Sequence, residues 1–456
     1  MILDLSKAKE MQTLKGWGTS ACWWSQACAD EETQKKVISL LYSKSGLGLN
    51  IYRYNIGGGY DEENCRIHNP WRRCESFMLF NKETAETSWD FSRDKTAVEV
   101  MRNSLDTGNI DTLILFCNSP HYSQTSTGQT SGSLLEHTCN IPKMNYQKFV
   151  EYVLDVTQHF LDQGFPVDYI SPINEPQWKW GGDVVWQEGC HYECEEIMEI
   201  YRLFAKEILR RKMPVKLYAP ESGEMLGETL KYFDAMLHDE MIMSVTDVFA
   251  YHSYHADNSP ETRYEFKEKL SGKYPNLRFD MSEWCELPNM SHTKNFKGAL
   301  ITARIIGQDI IYGGAESWTS WVAVNQFAFK EDGYDYSDAL LSANDDFSEW
   351  TINERYYALA HYSKYIPVGS VALDLGFRPT ENHNDFNVFA FRTPQQETVV
   401  VVVNEGEETT VIPTGEFETV EIIKSDSDEK LKPIPYNDAE NSITIAPNSV
   451  YTLLLK

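Results

Sequence analysis

The sequence predicts an α/β protein: a (β/α)8 TIM barrel with an appended antiparallel β-sandwich. Short apolar strands alternate with amphipathic segments over residues 14–366, which is typical of βα units around a parallel sheet. Eight strand candidates occur in that range, and eight βα units close naturally into a barrel. After Ile366 the pattern changes to short strands separated by turns rich in Asn, Asp, Gly and Pro, as expected for a sandwich.

The eight candidate barrel strands are short apolar runs between helical or turn signals. They are Leu14–Gly18, Leu49–Asn55, Thr112–Asn118, Tyr169–Asn174, Lys216–Glu221, Val248–Tyr251, Leu277–Ser282 and Gly314–Trp321. The clearest intervening helix spans residues 197–208, where apolar residues recur at three- and four-residue spacing. An open doubly wound sheet is the alternative. However, the Gly57–Gly59 run lacks the Lys-Ser/Thr pair of a nucleotide-binding loop.

The chain after residue 366 supplies the strands of the predicted sandwich. The candidates are Val388–Phe391, Val399–Val403, Thr419–Ile423, Ile443–Ile445 and Tyr451–Leu455. Residues 2–13 are expected to add a strand to the same unit. The predicted domains are therefore a barrel, residues 14–366, and a sandwich made of residues 1–13 and 367–456. The sandwich fits either a packed structural appendage or a sugar-binding module.

Composition excludes several classes of partner. The chain has 41 Lys and Arg against 68 Asp and Glu, a net charge of −27, which argues against nucleic acid and anionic membranes. No apolar run reaches the length of about 18 residues that a membrane-spanning helix needs. The N-terminus lacks a charged segment followed by an apolar core. We therefore expect a cytoplasmic protein, or a secreted or cell-surface one whose signal lies outside this sequence.

Nine cysteines without a regular framework predict free thiols in a reducing compartment, with a loop disulfide as the alternative. Two sets of residues resemble parts of a zinc site: Cys65 with Cys74, and Cys190 and His191 with Cys194. No second pair at ligand spacing completes either set. We therefore predict no metal site and no cofactor.

The stretch Tyr169–Trp180, YISPINEPQWKW, contains the first candidate catalytic group. Pro176 disfavours helical geometry before it, so the strand is expected to end at about Glu175. A carboxyl group among indole rings is partly desolvated and stays protonated near neutral pH, as a general acid must. An ordinary turn with a solvated Glu is the alternative for Asn174-Glu175-Pro176 alone. A second carboxylate in a matching place is therefore needed.

Strand C-termini of a barrel converge on one mouth, where catalytic side chains gather. The residues at these ends are polar, acidic and aromatic: Trp17, Gly18, Arg53, Asn55, Asn118, Asn174, Glu175, Glu221, Tyr251, His252, Glu283, Trp318 and Trp321. Glu175 and Glu283, on the fourth and seventh strands, are expected to face each other across the mouth. Glu221 and Glu316 are rival carboxylates. We interpret Glu221 as a binding or structural group and place Glu316 lower in the barrel.

Two facing carboxylates with aromatic walls suit hydrolysis of a glycosidic bond, because one protonates the leaving oxygen while the other attacks or stabilises the anomeric carbon. Arg53 is expected to keep Glu283 ionised. Asn174 is positioned to donate to the sugar hydroxyl beside the reacting carbon, and Tyr251 or His252 to orient Glu283. The candidate substrate-binding residues are Arg53, Asn118, Asn174, Tyr251, His252, Trp17, Trp24, Trp178, Trp318 and Trp321. We expect about half of the mouth tryptophans to fill the core instead.

Four motifs together resemble the retaining glycosidases of clan A, specifically glycoside hydrolase family 30. They are GWGTSACWW on the first strand, LGLNIYRYNIGGG on the second, NEP on the fourth and SEW on the seventh. The similarity runs from about Leu14 to the C-terminus. It implies that Glu175 is the acid/base, Glu283 the nucleophile, Asn174 the partner of the sugar 2-hydroxyl and Arg53 the strand-two arginine.

Within that family, GWGTS followed by WW resembles the endo-β-1,6-galactanase branch; the match to glucosylceramidases is weaker. The resemblance therefore implies retaining hydrolysis of a β-linked galactan, with an oligosaccharide or polysaccharide as the partner. Alternatives within the family are β-1,6-glucan, xylan and a glucosyl lipid. From a different class, the chain fits a carbohydrate-binding protein built on an inactive barrel.

Overall fold

The computed structural model describes residues 2–183, 185–274, 277–287, 295–327, 338–414, 420–436 and 442–456. The α-helices are α1 (Trp24–Ala27), α2 (Glu31–Tyr42), α3 (Lys95–Leu105), α4 (Tyr146–Asp162), α5 (Cys194–Arg211), α6 (Glu228–Leu237), α7 (Glu240–Met243), α8 (Pro260–Leu270), α9 (Phe296–Ile311) and α10 (Glu354–Ser363). Short 3-10 turns occupy Leu5–Lys7, Pro70–Arg72, Tyr122–Gln124 and Lys143–Asn145.

The strands fall into a barrel, two C-terminal sheets and two small sheets. They are β1 (Ile2–Asp4), β2 (Lys9–Thr13), β3 (Gly16–Ser20), β4 (Ile51–Asn55), β5 (Met78–Asn81), β6 (Glu86–Trp89), β7 (Thr112–Phe116), β8 (Tyr169–Ser171), β9 (Lys216–Ser222), β10 (Thr246–His252), β11 (Arg278–Trp284), β12 (Ser317–Val322), β13 (Val324–Gln326), β14 (Leu341–Ala343), β15 (Trp350–Ile352), β16 (Val371–Asp374), β17 (Phe386–Arg392), β18 (Thr398–Asn404), β19 (Thr409–Thr414), β20 (Val420–Ser425), β21 (Lys432–Ile434), β22 (Ile443–Ile445) and β23 (Ser449–Leu455).

Eight parallel strands close into the predicted barrel, in the order β3, β4, β7, β8, β9, β10, β11, β12 and back to β3. Each coincides with one of the eight sequence candidates to within a few residues, so the fold-class prediction is confirmed. Ile51, Ile114, Tyr218, Val248 and Ala250 fill the lower interior with one apolar cluster. The polar side chains lie above this apolar cluster, at the C-terminal mouth of the barrel.

The helices surround the barrel because each buries one apolar face. The predicted stripe on α5 is buried throughout. A reciprocal capping box between Glu193 and Glu196 starts this helix, satisfying backbone N–H groups that have no partner inside it. The helix stops at Lys212, whose left-handed conformation (φ 55°) reverses the chain toward β9.

The C-terminal region forms a seven-stranded sheet, β2-β16-β17-β18-β23-β20-β21, and a three-stranded sheet, β1-β19-β22. The run TVVVVVN of β18 is buried on both faces. Val400 and Val402 pack in the cluster shared with the three-stranded sheet, whereas Val399, Val401 and Val403 join the barrel core. The seven-stranded sheet is therefore the shared layer between sandwich and barrel.

Both chain ends enter these sheets, because β1 pairs with β19 and β2 pairs with β16. The predicted strand Thr419–Ile423 corresponds to β20, and its first residue lies outside the described residues. Since one apolar core runs through barrel and sheet, the division at residue 366 stays a prediction. Among the described helices, none combines the length and apolarity needed to span a bilayer.

Candidate active site

The guanidinium of Arg53 lies at the centre of the mouth and is fully buried. Its Nη1 donates to Glu283 Oε2 at 2.6 Å, and its Nη2 donates to Glu221 Oε1 and Asn174 Oδ1, each at 3.1 Å. The Phe116 ring supports it from below, 3.9 Å from guanidinium carbon to ring centroid. One cation therefore connects side chains from β4, β9, β11 and the loop after β8.

Glu175 and Glu283 approach each other across the mouth, with side-chain oxygens within 4.8 Å of one another. The Glu175 backbone has left-handed geometry (φ 44°), as does Glu221 (φ 56°), and each such residue costs about 1–3 kcal/mol. The Glu175 N–H donates to the Glu221 carbonyl oxygen at 2.8 Å. This bond joins the loop after β8 to the end of β9 at their two strained residues.

His252 lies between three carboxylates. Its Nδ1 is 3.0 Å from Glu175 Oε1 and 3.5 Å from Glu283 Oε1, and its Nε2 is 3.3 Å from Glu221 Oε2. Burial alone lowers the pKa of His252, but the carboxylates outweigh it and raise this pKa to about 10. The imidazole is therefore the second cation of the site at neutral pH.

The two buried carboxylates respond differently to this environment. Burial acts to raise the pKa of Glu221, but Arg53 and His252 lower it to about 2. Burial raises the pKa of Glu283, although His252 and Arg53 act in the opposite direction. Glu221 is therefore a permanent anion that pairs both cations, in line with its interpretation as a structural group. Glu316 lies just before β12, at the opposite end of the barrel from the mouth.

Two asparagines extend the polar network behind Arg53. The Asn174 Nδ2 donates to Asn118 Oδ1 at 3.2 Å, and the Asn118 Nδ2 donates to Asn55 Oδ1 at 3.3 Å. Both Asn118 and Asn174 are buried, so their amides are held in place before substrate arrives. The structure thus brings Asn118 and Asn174 together with the charged groups, as the sequence analysis expected.

Of the two residues expected to orient Glu283, His252 lies beside it, with Nδ1 3.5 Å from Glu283 Oε1, whereas the assignment of Tyr251 as an orienting and substrate-binding residue is wrong. Tyr251 is fully buried, and its ring packs on Phe266 at 4.6 Å, away from the mouth. Tyr254 takes this position instead, and its hydroxyl donates to Glu283 Oε1 at 3.1 Å. Sequence reasoning missed Tyr254 because it lies in the turn after β10, beyond the strand end. Its position three residues after Tyr251 was the available signal.

Three of the five tryptophans proposed to bind substrate belong to the core, which corrects that prediction. Trp17, Trp24 and Trp318 are at most 2% exposed. Their indole N–H groups donate to Ile366 O, Ser20 O and Asp309 Oδ2 respectively. Their rings and their polar atoms are thus already engaged within the protein.

Trp178 and Trp321 remain beside the carboxylates. Trp178 is half-buried, its backbone N–H donates to the Glu175 carbonyl oxygen at 3.0 Å, and its ring stacks on His255. The Trp321 ring centroid lies 5.8 Å from the Arg53 guanidinium carbon. One ring therefore lies at the rim of the site and the other at its floor.

Glu175, His252 and Glu283 offer atoms close enough together to hold a metal ion. The surrounding carboxylates also raise the pKa of His252 to about 10, so a metal ion at this place would have to displace the imidazole proton. The arrangement suits movement of a proton between carboxyl groups and a bound molecule.

A (β/α)8 barrel with two facing carboxylates at its mouth places this protein in the class of the glycoside hydrolases. Within that class, the chain belongs to O-glycosyl hydrolase family 30, whose family model matches residues 1–342. The resemblance inferred from the four sequence motifs is thereby confirmed.

The chain is also similar to known proteins at low sequence identity. The chain is 21% identical over 432 residues to an endo-β-1,6-galactanase of Hypocrea rufa, covering 90% of this chain and 82% of the relative. It is similar in structure to a conserved exported protein from Bacteroides fragilis (TM-score 0.82, 20% identity, 100% and 99% of the two chains). It is also similar to the catalytic domain of a family 30 xylanase C from Talaromyces cellulolyticus (TM-score 0.72, 15% identity, 100% and 99%).

The first prediction concerns the buried ion pairs of Glu221. We expect Glu221→Gln to lower the free energy of unfolding by about 3–5 kcal/mol, because Arg53 loses a buried counter-charge. The folded pKa of Glu221 is about 2, against an ordinary value of 4.5. The Glu221 carboxylate therefore contributes its full share of the free energy of unfolding at pH values above 4.5, and this share decreases as the pH falls toward 2. Urea unfolding should show the full difference near neutral pH and a shrinking difference across that acidic window.

A control for this measurement is Asp155→Asn, which removes the half-exposed partner of Arg211. Screening by solvent limits such a pair to about 1 kcal/mol or less. Equal destabilisation by the two substitutions would contradict the central role given to Glu221.

The second prediction concerns the space around Glu175. A Cβ at Gly223 would lie 2.8 Å from Glu175 Oε1 and 3.0 Å from Gln177 Nε2. We expect Gly223→Ala to displace the carboxyl group and lower kcat/KM by about tenfold on aryl glycosides with poor leaving groups. Leaving groups that need no protonation should show a much smaller loss, and the urea midpoint should not change. An equal loss on both kinds of glycoside would contradict displacement of an acid.

Proposed function

We propose that the protein is a retaining glycosidase in which Glu283 is the nucleophile and Glu175 the acid/base. The observation that carries this proposal is that one carboxyl oxygen of Glu175 lies within 4.8 Å of one of Glu283. Retaining enzymes hold the two carboxyl groups about 5–5.5 Å apart, whereas inverting enzymes leave about 6.5–9.5 Å for a water molecule.

The charges of the site support these two roles. Arg53 and His252 supply two positive charges against three carboxyl groups, so the buried cluster is neutral when one carboxyl group carries a proton. Glu221 pairs both cations and Glu283 has Arg53 as a direct partner at 2.6 Å. Among the described residues, Glu175 contacts no guanidinium, and its side chain is 16% exposed against 4% for Glu283. Glu175 is therefore the carboxyl group of the two that a leaving oxygen can reach, as the acid/base role requires.

In the proposed first step, Glu283 attacks the anomeric carbon while Glu175 donates its proton to the departing oxygen. The Tyr254 hydroxyl and Arg53 hold the attacking carboxylate in position. In the second step, Glu175 takes a proton from water, and the resulting hydroxide displaces Glu283 from the sugar with a second inversion. Asn174 donates to the sugar hydroxyl next to the reacting carbon, and Trp178 and Trp321 contact the sugar rings.

The proposed substrate is a β-1,6-linked galactan cut within the chain. This assignment rests on the sequence pattern GWGTS followed by WW and on the endo-β-1,6-galactanase relative, which aligns over 90% of this chain. The family 30 xylanase neighbour makes another β-glycan, such as xylan or β-1,6-glucan, the second candidate.

The third prediction tests the nucleophile. We expect Glu283→Gln to reduce kcat by at least about 10³-fold, since a neutral amide neither attacks nor stabilises the anomeric centre. The matched control Glu316→Gln changes a carboxyl at the opposite end of the barrel and should leave kcat unchanged. Proton NMR of the first-formed sugar from the wild type should show the β anomer. Parental turnover by the Glu283 variant, or an α anomer as first product, would overturn the assignment.

The fourth prediction tests the substrate. Linear β-1,6-galactooligosaccharides, xylan and β-1,6-glucan are incubated with the wild type and with Glu283→Gln, and the products are resolved by chromatography. We expect cleavage of the galactooligosaccharides at internal bonds by the wild type alone. Cleavage of xylan or glucan in their place would retain the mechanism and reject the galactan assignment.

A further inference from the structure

A pair of aromatic rings lies at the rim of the mouth, beside the acid. Trp178, in the loop after β8, stacks on His255, in the turn after β10, with ring centroids 6.2 Å apart and ring planes 20° from parallel. Trp178 is half-buried and His255 is exposed. Near-parallel rings at this separation are offset rather than face to face, so part of each ring face stays uncovered.

The backbone turns His255 away from the protein interior. His255 has left-handed geometry (φ 64°), which costs about 1–3 kcal/mol. The residues on either side of it, Tyr254 and Ala256, are 8% and 2% exposed. None of the described residues forms a hydrogen bond with the His255 ring nitrogens. The local strain therefore presents at the rim a ring that the protein itself does not bury.

The two indoles that follow Glu175 differ in how far they are engaged within the protein. Trp180 is 3% exposed, and its indole N–H donates to the Glu175 carbonyl oxygen at 3.0 Å. Trp178 reaches the same oxygen with its backbone N–H, also at 3.0 Å. Its indole N–H has no acceptor in the described part of the chain. Trp180 therefore anchors the loop, whereas the Trp178 ring remains available at the rim.

The place of the ring pair in the barrel shows which side of the site it borders. Strand β9 lies between β8 and β10, and the residue after β9 is Gly223. A Cβ at Gly223 would lie 2.8 Å from Glu175 Oε1, so the two rings meet over the end of β9, beside the Glu175 carboxyl group. In the proposed mechanism Glu175 protonates the leaving oxygen, so the leaving group lies on this side.

We propose that Trp178 and His255 together form the binding site for the sugar on the leaving-group side of the bond that is cut. The uncovered ring faces stack on the apolar C–H face of that sugar. This inference rests on the proposed function, in which Glu175 is the acid and the substrate is cut within the chain. His255 is then a substrate-binding residue, and the site selects a sugar as leaving group.

The same site has a consequence for the second step. A sugar bound on the rings after the first leaving group has departed presents a hydroxyl to the anomeric carbon in place of water. Glu175 takes the proton of that hydroxyl, its oxygen bonds to the anomeric carbon, and the bond from Glu283 to that carbon breaks. The product is a new glycosidic bond, so the enzyme is expected to transfer sugars as well as hydrolyse them.

The test compares two substrates that share a glycone and differ in the leaving group. Cleavage of β-1,6-galactotetraose at its central bond releases a sugar, whereas β-1,6-galactobiosyl fluoride releases an ion too small to contact the rings. His255→Asn removes the ring and keeps a side chain that tolerates left-handed geometry. We expect it to lower kcat/KM on the tetraose by about tenfold, the effect of one lost aromatic contact. On the fluoride the change should stay below about twofold, since the rings contact no leaving group there.

The aromatic variant His255→Phe tests whether the ring itself is what matters. It should keep kcat/KM on both substrates within about threefold of the wild type. Transfer gives a second measurement, with the fluoride as donor and galactobiose as acceptor. His255→Asn should lower the ratio of transfer product to hydrolysis product by about tenfold, because the acceptor loses its stacking surface. Chromatography of the products measures this ratio.

A purely structural role predicts a different result. Because His255 follows Tyr254, which holds Glu283, a displaced turn would lower kcat/KM equally on the tetraose and the fluoride. That outcome, or a loss in His255→Phe as large as in His255→Asn, overturns the proposal. If His255→Asn does not fold, Trp178→Leu decides between the same outcomes. The control His238→Asn changes an exposed histidine at the end of α6 that points away from the mouth and should leave both substrates unaffected.

Failure of the proposed function gives a separate signal. If the wild type cleaves the fluoride but not the tetraose, the leaving-side site is rejected and the retaining mechanism stands. If it cleaves neither, the galactan assignment is rejected, and the comparison is made with the xylotetraose and xylobiosyl fluoride pair or the matching β-1,6-glucan pair. Cleavage of none of these substrates would contradict both proposals.

Discussion

The structure depends on burying the Arg53 guanidinium in the barrel mouth. Removing such a cation from water costs several kcal/mol. The carboxylates of Glu221 and Glu283, the Asn174 carbonyl oxygen and the Phe116 face offset that cost. Because these groups come from different strands and loops, satisfying one side chain fixes the relative positions of Glu221, Glu283 and Asn174.

The same charges determine which proton transfers are favourable. Arg53 and His252 place two cations among three carboxyl groups, and in the proposed mechanism each step moves one proton or consumes the charge of Glu283. The left-handed backbone at Glu175 and Glu221 shows that the chain accepts local strain to hold this cluster together. The stability of the mouth and its proposed reactivity thus depend on the same five side chains: Arg53, Glu175, Glu221, His252 and Glu283.

The sequence predicted the parts of the site that follow from strand ends. Alternating apolar runs located all eight barrel strands, and their last residues included Arg53, Glu175 and Glu283. The prediction from sequence failed for side chains whose position depends on tertiary packing. The register shift between Tyr251 and His252 reverses the direction expected from simple alternation, and Tyr254 lies beyond the strand. Whether an indole packs inward or lines the mouth depends on neighbours distant in sequence, so Trp17 was misplaced.

Trp318 shows how the C-terminal sheets bear on the site. Its indole N–H and the Ser253 hydroxyl both donate to Asp309 on α9. The other face of α9 packs against β17 and β18. Ser253 immediately precedes Tyr254, whose hydroxyl holds Glu283. The seven-stranded sheet is therefore connected to Glu283 through α9, the buried Asp309 carboxylate and the Ser253–Tyr254 turn. In the proposed mechanism this contact path lets the sheet support the attacking carboxylate without binding sugar itself.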